Sequence, residues 1–108
     1  MKMNDYQDFT GTVDRYPNKL KLLLHALGVS GEAGEVAEKT KKLFRDDNGR
    51  LTEERRKAIM LELGDTLWYI SRVAADLGYT LEEVAQGNVD KLTKRKVENK
   101  IHGDGDNR

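Results

Sequence analysis

An all-α fold is what this sequence predicts, on three observations. Its 108 residues include one Pro and are 35% charged, rich in the Ala, Leu, Glu, Lys and Arg that lose least on entering a helix. Apolar residues recur at three- and four-residue intervals, as at Leu20, Leu23, Leu24 and Leu27, the spacing of one helix face. Helix-start and helix-stop residues then divide the pattern, with Thr52 and Thr80 as N-caps and Asn48, Gly49 and Gly78 as terminators.

The first helix is expected over about Asn4 to Val13, because Pro17 prevents it from running on. A second begins near Asn18 and reaches about Arg45, with Leu20, Leu23, Leu24, Leu27, Ala33, Val36, Ala37, Leu43 and Phe44 on its apolar side. Gly28, Gly31 and Gly34 weaken it, and a kink or break is expected near Gly28–Ser30. Asp46-Asp47-Asn48-Gly49 reads as a turn. Thr52 opens the third helix, with Glu53 and Glu54 in its positive first turn, and Gly78 stops it after about Leu77. Thr80 opens the fourth, which runs to about Lys96. One domain over residues 1–102 is expected, followed by a polar, mobile tail over 103–108.

Nineteen basic and nineteen acidic residues cancel, so no global field draws the chain to nucleic acid or to a membrane surface. The absence of Cys excludes disulfides and thiolate metal sites. No apolar run approaches the roughly 20 residues that span a bilayer, and Met1 to Thr10 lack the character of a signal peptide. A soluble cytoplasmic protein is the expectation. A chain this small and polar buries its core more completely by pairing with another subunit.

Two short acidic patterns stand out: Glu32-Ala-Gly-Glu35 on the second helix and Glu62-Leu-Gly-Asp65 on the third. Residues three apart share a helix face. Ten residues separate Glu35 from Arg45, and ten separate Thr52 from Glu62, in each case about 15 Å of helix. An antiparallel hairpin about the Asp46–Leu51 turn therefore brings both pairs to one height. Glu62 also borders Ile59, Thr66, Ile70 and Val73, and Glu32 borders Val29, Val36 and Leu43. Carboxylates on such faces are costly without a neutralising partner. A hard divalent cation meets that need, and all-oxygen ligation suits Mg²⁺, with Mn²⁺ as a substitute. Either pair alone also reads as an ordinary solvated face, with Glu35–Lys39 and Glu38–Lys42 as i,i+4 pairs.

The run Leu27-Gly-Val-Ser-Gly-Glu-Ala-Gly-Glu-Val36, then Lys41-Lys42, then Glu62-Leu-Gly-Asp-Thr-Leu-Trp-Tyr-Ile70 resembles the MazG-like family of nucleoside triphosphate pyrophosphohydrolases. Tyr6-Gln7, Thr12, the Asn88, Lys91, Leu92 and Arg95 spacing, and the ending Ile101 to Arg108 extend the likeness to the small single-domain bacterial and phage members. The resemblance implies a four-helix bundle assembling as a dimer or a dimer of dimers. It implies Mg²⁺-dependent cleavage of a nucleoside triphosphate between the α- and β-phosphates, giving a monophosphate and pyrophosphate. Glu32, Glu35, Glu62 and Asp65 are then the metal ligands, and Asn88, Lys91 and Arg95 are candidates for the substrate phosphates. Glu35 is the first candidate for general base and Glu38 the second. Rival readings are a phosphoribosyl-ATP pyrophosphohydrolase, with a similar acidic pattern, and a non-enzymatic helical interaction module.

Lys91, Lys94, Arg95, Lys96 and Lys100 also read as a solvated helix end favoured by the dipole. Trp68 and Leu61 lie on a different side of the third helix from Ile59, Ile70 and Val73, which suggests burial on two sides, the second against a partner subunit. A nucleobase-stacking role for Trp68 competes with that reading. His25 and His102 lack paired ligand spacing and read as structural or surface residues. The Asp46 and Asp104 clusters lack the full ligand pattern of a calcium loop.

Overall fold

The computed structural model describes residues 1–99 and Asp106. Its elements are α1 (Met3–Thr12), a short 3₁₀ turn (Asn18–Leu20), α2 (Lys21–Asp47), α3 (Glu53–Asp76) and α4 (Leu81–Val97). No strand occurs among the described residues, and the all-α expectation holds. His102 and the tail over 103–108, Asp106 apart, lie outside the described residues.

The long α2–α3 hairpin is the frame on which the rest is mounted. Its turn forms where the sequence places it. Asn48 ends α2 in the left-handed conformation at φ 54° and Gly49 follows at φ 77°, a region open to Gly and tolerated by Asn. Thr52 caps α3 by accepting the backbone N–H of Arg55 at 3.2 Å, and Arg55 Nε donates to Asp47 Oδ2 at 2.7 Å. That contact ties the two ends of the turn together. Thr80 and Glu83 form a reciprocal capping box at the start of α4, which satisfies two N–H groups left open at a helix start.

The expected break in α2 does not occur: the helix runs unbroken through Gly28–Ser30. Glycine there serves packing instead. A Cβ on Gly28 would lie 2.2 Å from ring carbons of Tyr69, so the missing side chain is what lets α3 approach α2 at this level. Propensity favoured a kink, and tertiary contact overrode it.

Helix α1 crosses α3, and α4 packs on both. Their junction is polar. Gln7 is buried, donating from Nε2 to the carbonyl oxygens of Tyr79 at 3.0 Å and Ser71 at 3.4 Å, while its Oε1 accepts the N–H of Leu81 at 3.1 Å. Thr10 and Ser71 share a hydrogen bond of 2.9 Å beside it. Arg72 donates to Thr10 Oγ1 at 2.8 Å and to the Gln7 carbonyl at 3.0 Å. Gln7→Leu keeps the volume but strands the Leu81 N–H and the Tyr79 carbonyl. We expect it to lower the unfolding free energy by about 2 kcal/mol or more, read from the urea midpoint at unchanged m-value.

Inside one chain the apolar core is small: Leu43, Ala74 and Leu81 are its buried hydrophobic residues among those described. Leu27, Phe44 and Leu61 remain 59%, 65% and 58% exposed. Exposed large apolar side chains occur on all four α-helices. No described helix is long and apolar enough to cross a membrane.

Candidate functional site

Polar side chains, rather than apolar ones, occupy the middle of the α2–α3 seam. On α2, His25, Gly28, Glu32 and Glu35 recur at intervals of three or four; on α3, Glu62, Asp65, Tyr69 and Asp76 recur at three, four and seven. Both series keep to one helix face. Gly28 meets Tyr69, His25 meets Asp76, and Glu32 meets Glu62 and Asp65.

Carboxylate oxygens of Glu32, Glu62 and Asp65 all lie within 4.8 Å of one another, with Glu32 and Glu62 half-buried and Asp65 exposed. The Glu32 carboxyl is pushed above its usual range, first by burial and then by the charges of Asp65, Glu62 and Glu35. Partial burial among like charges is the condition that a bound cation relieves. Three oxygen donors of this kind fit a hard divalent ion with waters completing its shell.

Glu35 is exposed and is not one of the three whose oxygens converge, although it stands close enough to raise Glu32. Glu38 is occupied elsewhere: it pairs with Lys41 Nζ at 3.0 Å, and that contact holds its carboxyl below the usual range. Asn88 borders an apolar hollow with Tyr6, Leu67 and Ile70 between α1, α3 and α4. Lys91 Nζ and Arg95 NH2 meet one oxygen of Asp106, at 3.0 and 3.1 Å. Their hydrogen bonds, and then their charges, hold the Asp106 carboxyl below its usual range.

Beside the acidic trio lies a cavity of about 540 Å³. Val13, Arg15 and Tyr16, from the segment between α1 and the 3₁₀ turn, form one wall; Glu32, Asp65, Trp68 and Tyr69 form the other. Asn88, Lys91 and Arg95 do not line it. Within this single chain Trp68 thus faces a cavity, standing edge-on to Tyr69 with ring centroids 5.0 Å apart. The hydroxyls of Tyr16 and Tyr69 are 2.8 Å apart. That hydrogen bond, then burial and the nearby acids, pushes the Tyr69 phenol up to about 12.

Sequence reasoning did not single out Asp14, Arg15, Tyr16, Tyr69 or Asp76. Tyr69 and Asp76 carry a readable signal, since each continues the stripe begun by Glu62 and Asp65. His25 is structural as expected but better partnered than its sequence suggests. Its fully buried ring places Nδ1 2.5 Å from Asp76 Oδ2 and Nε2 3.1 Å from Asp14 Oδ2. Burial pushes the Asp14 carboxyl up, but the backbone N–H of Tyr16, His25 and Lys21 together outweigh it and leave it below the usual range.

The family model of the MazG nucleotide pyrophosphohydrolase domain matches residues 21–98, which takes in α2, α3 and α4 with every acidic residue of the seam. The chain is also similar to the Gene 37 protein of Mycobacterium phage L5, at 46% identity over 82 residues, covering 76% of this chain and 72% of that protein. No solved structure gives a significant match. With the matched segment spanning well over half of its length, this chain belongs to the MazG nucleotide pyrophosphohydrolase family.

Proposed function

We propose that this protein hydrolyses a ribo- or deoxyribonucleoside triphosphate between the α- and β-phosphates, in a Mg²⁺-dependent reaction that yields a nucleoside monophosphate and pyrophosphate. The observation that carries the reading is the convergence of Glu32, Glu62 and Asp65, two of which, Glu32 and Asp65, line an aromatic-walled cavity. In this reading those three carboxylates hold Mg²⁺, with Mn²⁺ as a substitute. Bound there, the cation would supply positive charge against the substrate phosphates. Glu35, placed outside the trio but on the same face, is the base that takes the proton from the attacking water. Its free, exposed carboxylate supports that role over a ligand's, and the Lys41 pairing of Glu38 puts that residue second.

Trp68 and Tyr16 give the base or sugar an apolar wall, and the Tyr16–Tyr69 hydroxyl pair offers a hydrogen-bonding edge. Lys91 and Arg95 converge on one carboxylate oxygen of Asp106, an arrangement a phosphate oxygen would equally accept. Since they lie away from the cavity within one chain, their service to it belongs to an assembled homodimer or homotetramer. The exposed Leu27, Phe44 and Leu61 support such an assembly. A cytoplasmic location goes with this reading. The test is a panel of ribo- and deoxyribonucleoside triphosphates and phosphoribosyl-ATP with Mg²⁺, analysed for monophosphate and pyrophosphate. Release of pyrophosphate from ordinary triphosphates is expected; turnover of phosphoribosyl-ATP alone, or of nothing, would overturn the assignment.

A further inference from the structure

We propose that His25 is the positioning residue of the cavity: held between Asp14 and Asp76, it fixes the Asp14–Tyr16 segment as the wall facing Trp68 and Tyr69, so that nucleotide affinity falls when the ring is lost. This inference rests on the nucleotide reading of the cavity.

The geometry is that of a ring with an acid at each end. Asp76 Oδ2 stands 2.5 Å from Nδ1 and Asp14 Oδ2 3.1 Å from Nε2. The contact with Asp14 is buried on both sides, the ring being 0% and the Asp14 side chain 1% exposed. Neither His25 Nε2 nor Asp14 Oδ2 has an aligned hydrogen bond, so the contact is made by the close approach of ring and carboxylate.

Other charged and titratable groups face the same place. Lys21, on α2, is 3.4 Å from Asp14 Oδ2, and Arg72, on α3, is 3.9 Å from it. Both cations stand on the Asp14 side; Asp76 has His25 as its ion-pair partner among the described residues. Tyr16 from the loop and Tyr69 from α3 pack around the ring, at centroid distances of 5.4 and 6.4 Å.

Asp14 in turn governs the wall. Its Oδ1 accepts the backbone N–H of Tyr16 at 3.2 Å, and Arg15 and Tyr16 are the next two residues of the chain and line the cavity. Tyr16 then reaches α3 through its 2.8 Å hydroxyl contact with Tyr69. His25 is therefore the point where the loop, α2 and α3 are clasped. It stands two turns of α2 from Glu32 and is neither a metal ligand nor in contact with the acidic trio. Because it acts through Asp14 and Tyr16, its loss should weaken substrate binding more than the chemical step.

Three readouts test the proposal. The first is the mobility of the wall and the second the substrate affinity, with kcat as the third. In His25→Gln, amide exchange at Arg15 and Tyr16 should accelerate. The KM for whichever of dATP, dCTP, dGTP and dTTP is cleaved should rise about tenfold, with kcat held within about twofold. Lowered stability with an unchanged KM would assign His25 a purely structural role and overturn the proposal. Should that variant not fold, Asp76→Ala decides, since it removes the acid at the Nδ1 end of the ring. KM must rise there with kcat held, and an unchanged KM overturns the inference. A wild-type protein that releases no pyrophosphate sinks the nucleotide reading instead; amide exchange at Arg15 and Tyr16 in the variants still tests the clasp.

Discussion

Glu62→Gln is expected to abolish Mg²⁺-dependent pyrophosphate release, by at least ~100-fold, while leaving the helical fold intact. The substitution preserves size and one carbonyl oxygen, so the seam is not repacked. What it removes is one of three anionic charges gathered within 4.8 Å. A ligand's own charge should matter at least as much as the outer-shell partners of metal sites, whose loss costs ~10–100-fold. Stability should hold or rise slightly, because Glu32 and Glu62 repel each other in a half-buried setting. Pyrophosphate release and far-UV circular dichroism on the same sample check both halves. Glu35→Gln separates two roles: as the base, Glu35 should lower kcat while leaving Mg²⁺ affinity near the wild-type value. Undiminished turnover in Glu62→Gln removes Glu62 from the site.

The second large effect is on the frame itself. Gly28→Ala should destabilise the protein by about 1–3 kcal/mol, although Ala is the better helix former by about 1 kcal/mol. The new methyl would stand 2.2 Å from Tyr69 Cδ1 and Cε1 and 2.6 Å from its Cγ. Those atoms belong to the base and flank of the ring, not to a free end that can swing away. The hydroxyl end is itself held by Tyr16. Relief therefore requires α2 and α3 to part, or Tyr69 to give up its bond to Tyr16, and either one deforms the cavity. Gly87→Ala on α4 is the contrast, since a Cβ there meets nothing within 4 Å. It should stabilise by about 0.5–1 kcal/mol. Thermal unfolding of the two variants should move in opposite directions; equal shifts would show that propensity and not the Tyr69 contact governs position 28.

Local chemistry is what the sequence expresses well. Thr52, Thr80, Asn48, Gly49 and Gly78 act where their side chains or conformational freedom place them, because caps and turns depend on neighbours within a few residues. The meeting of the acidic pairs was also legible, since helix rise alone sets their height along the hairpin. Spacing does not fix side-chain reach, however, so Glu35 shares the level of the trio without joining it.

Long-range partners were the part hidden from sequence. His25 looks isolated because Asp76 is 51 residues away, and only the closed hairpin brings the two together. Gly28 was read as a weak point in α2, since nothing local announces the Tyr69 ring that needs the space. Trp68 has an analogous history. Its helical phase shows a second apolar side on α3, but the cavity opposite it is completed by Arg15 and Tyr16 from a segment with no periodicity to read.

The central claim is that the α2–α3 seam holds the catalytic cation, and electron paramagnetic resonance of Mn²⁺ tests it most directly. Titrated into the wild-type protein, Mn²⁺ should give a bound signal that Mg²⁺ displaces, and Glu62→Gln and Asp65→Asn should each weaken that binding by about tenfold or more. Mn²⁺ binding of wild-type strength in both variants would contradict the account.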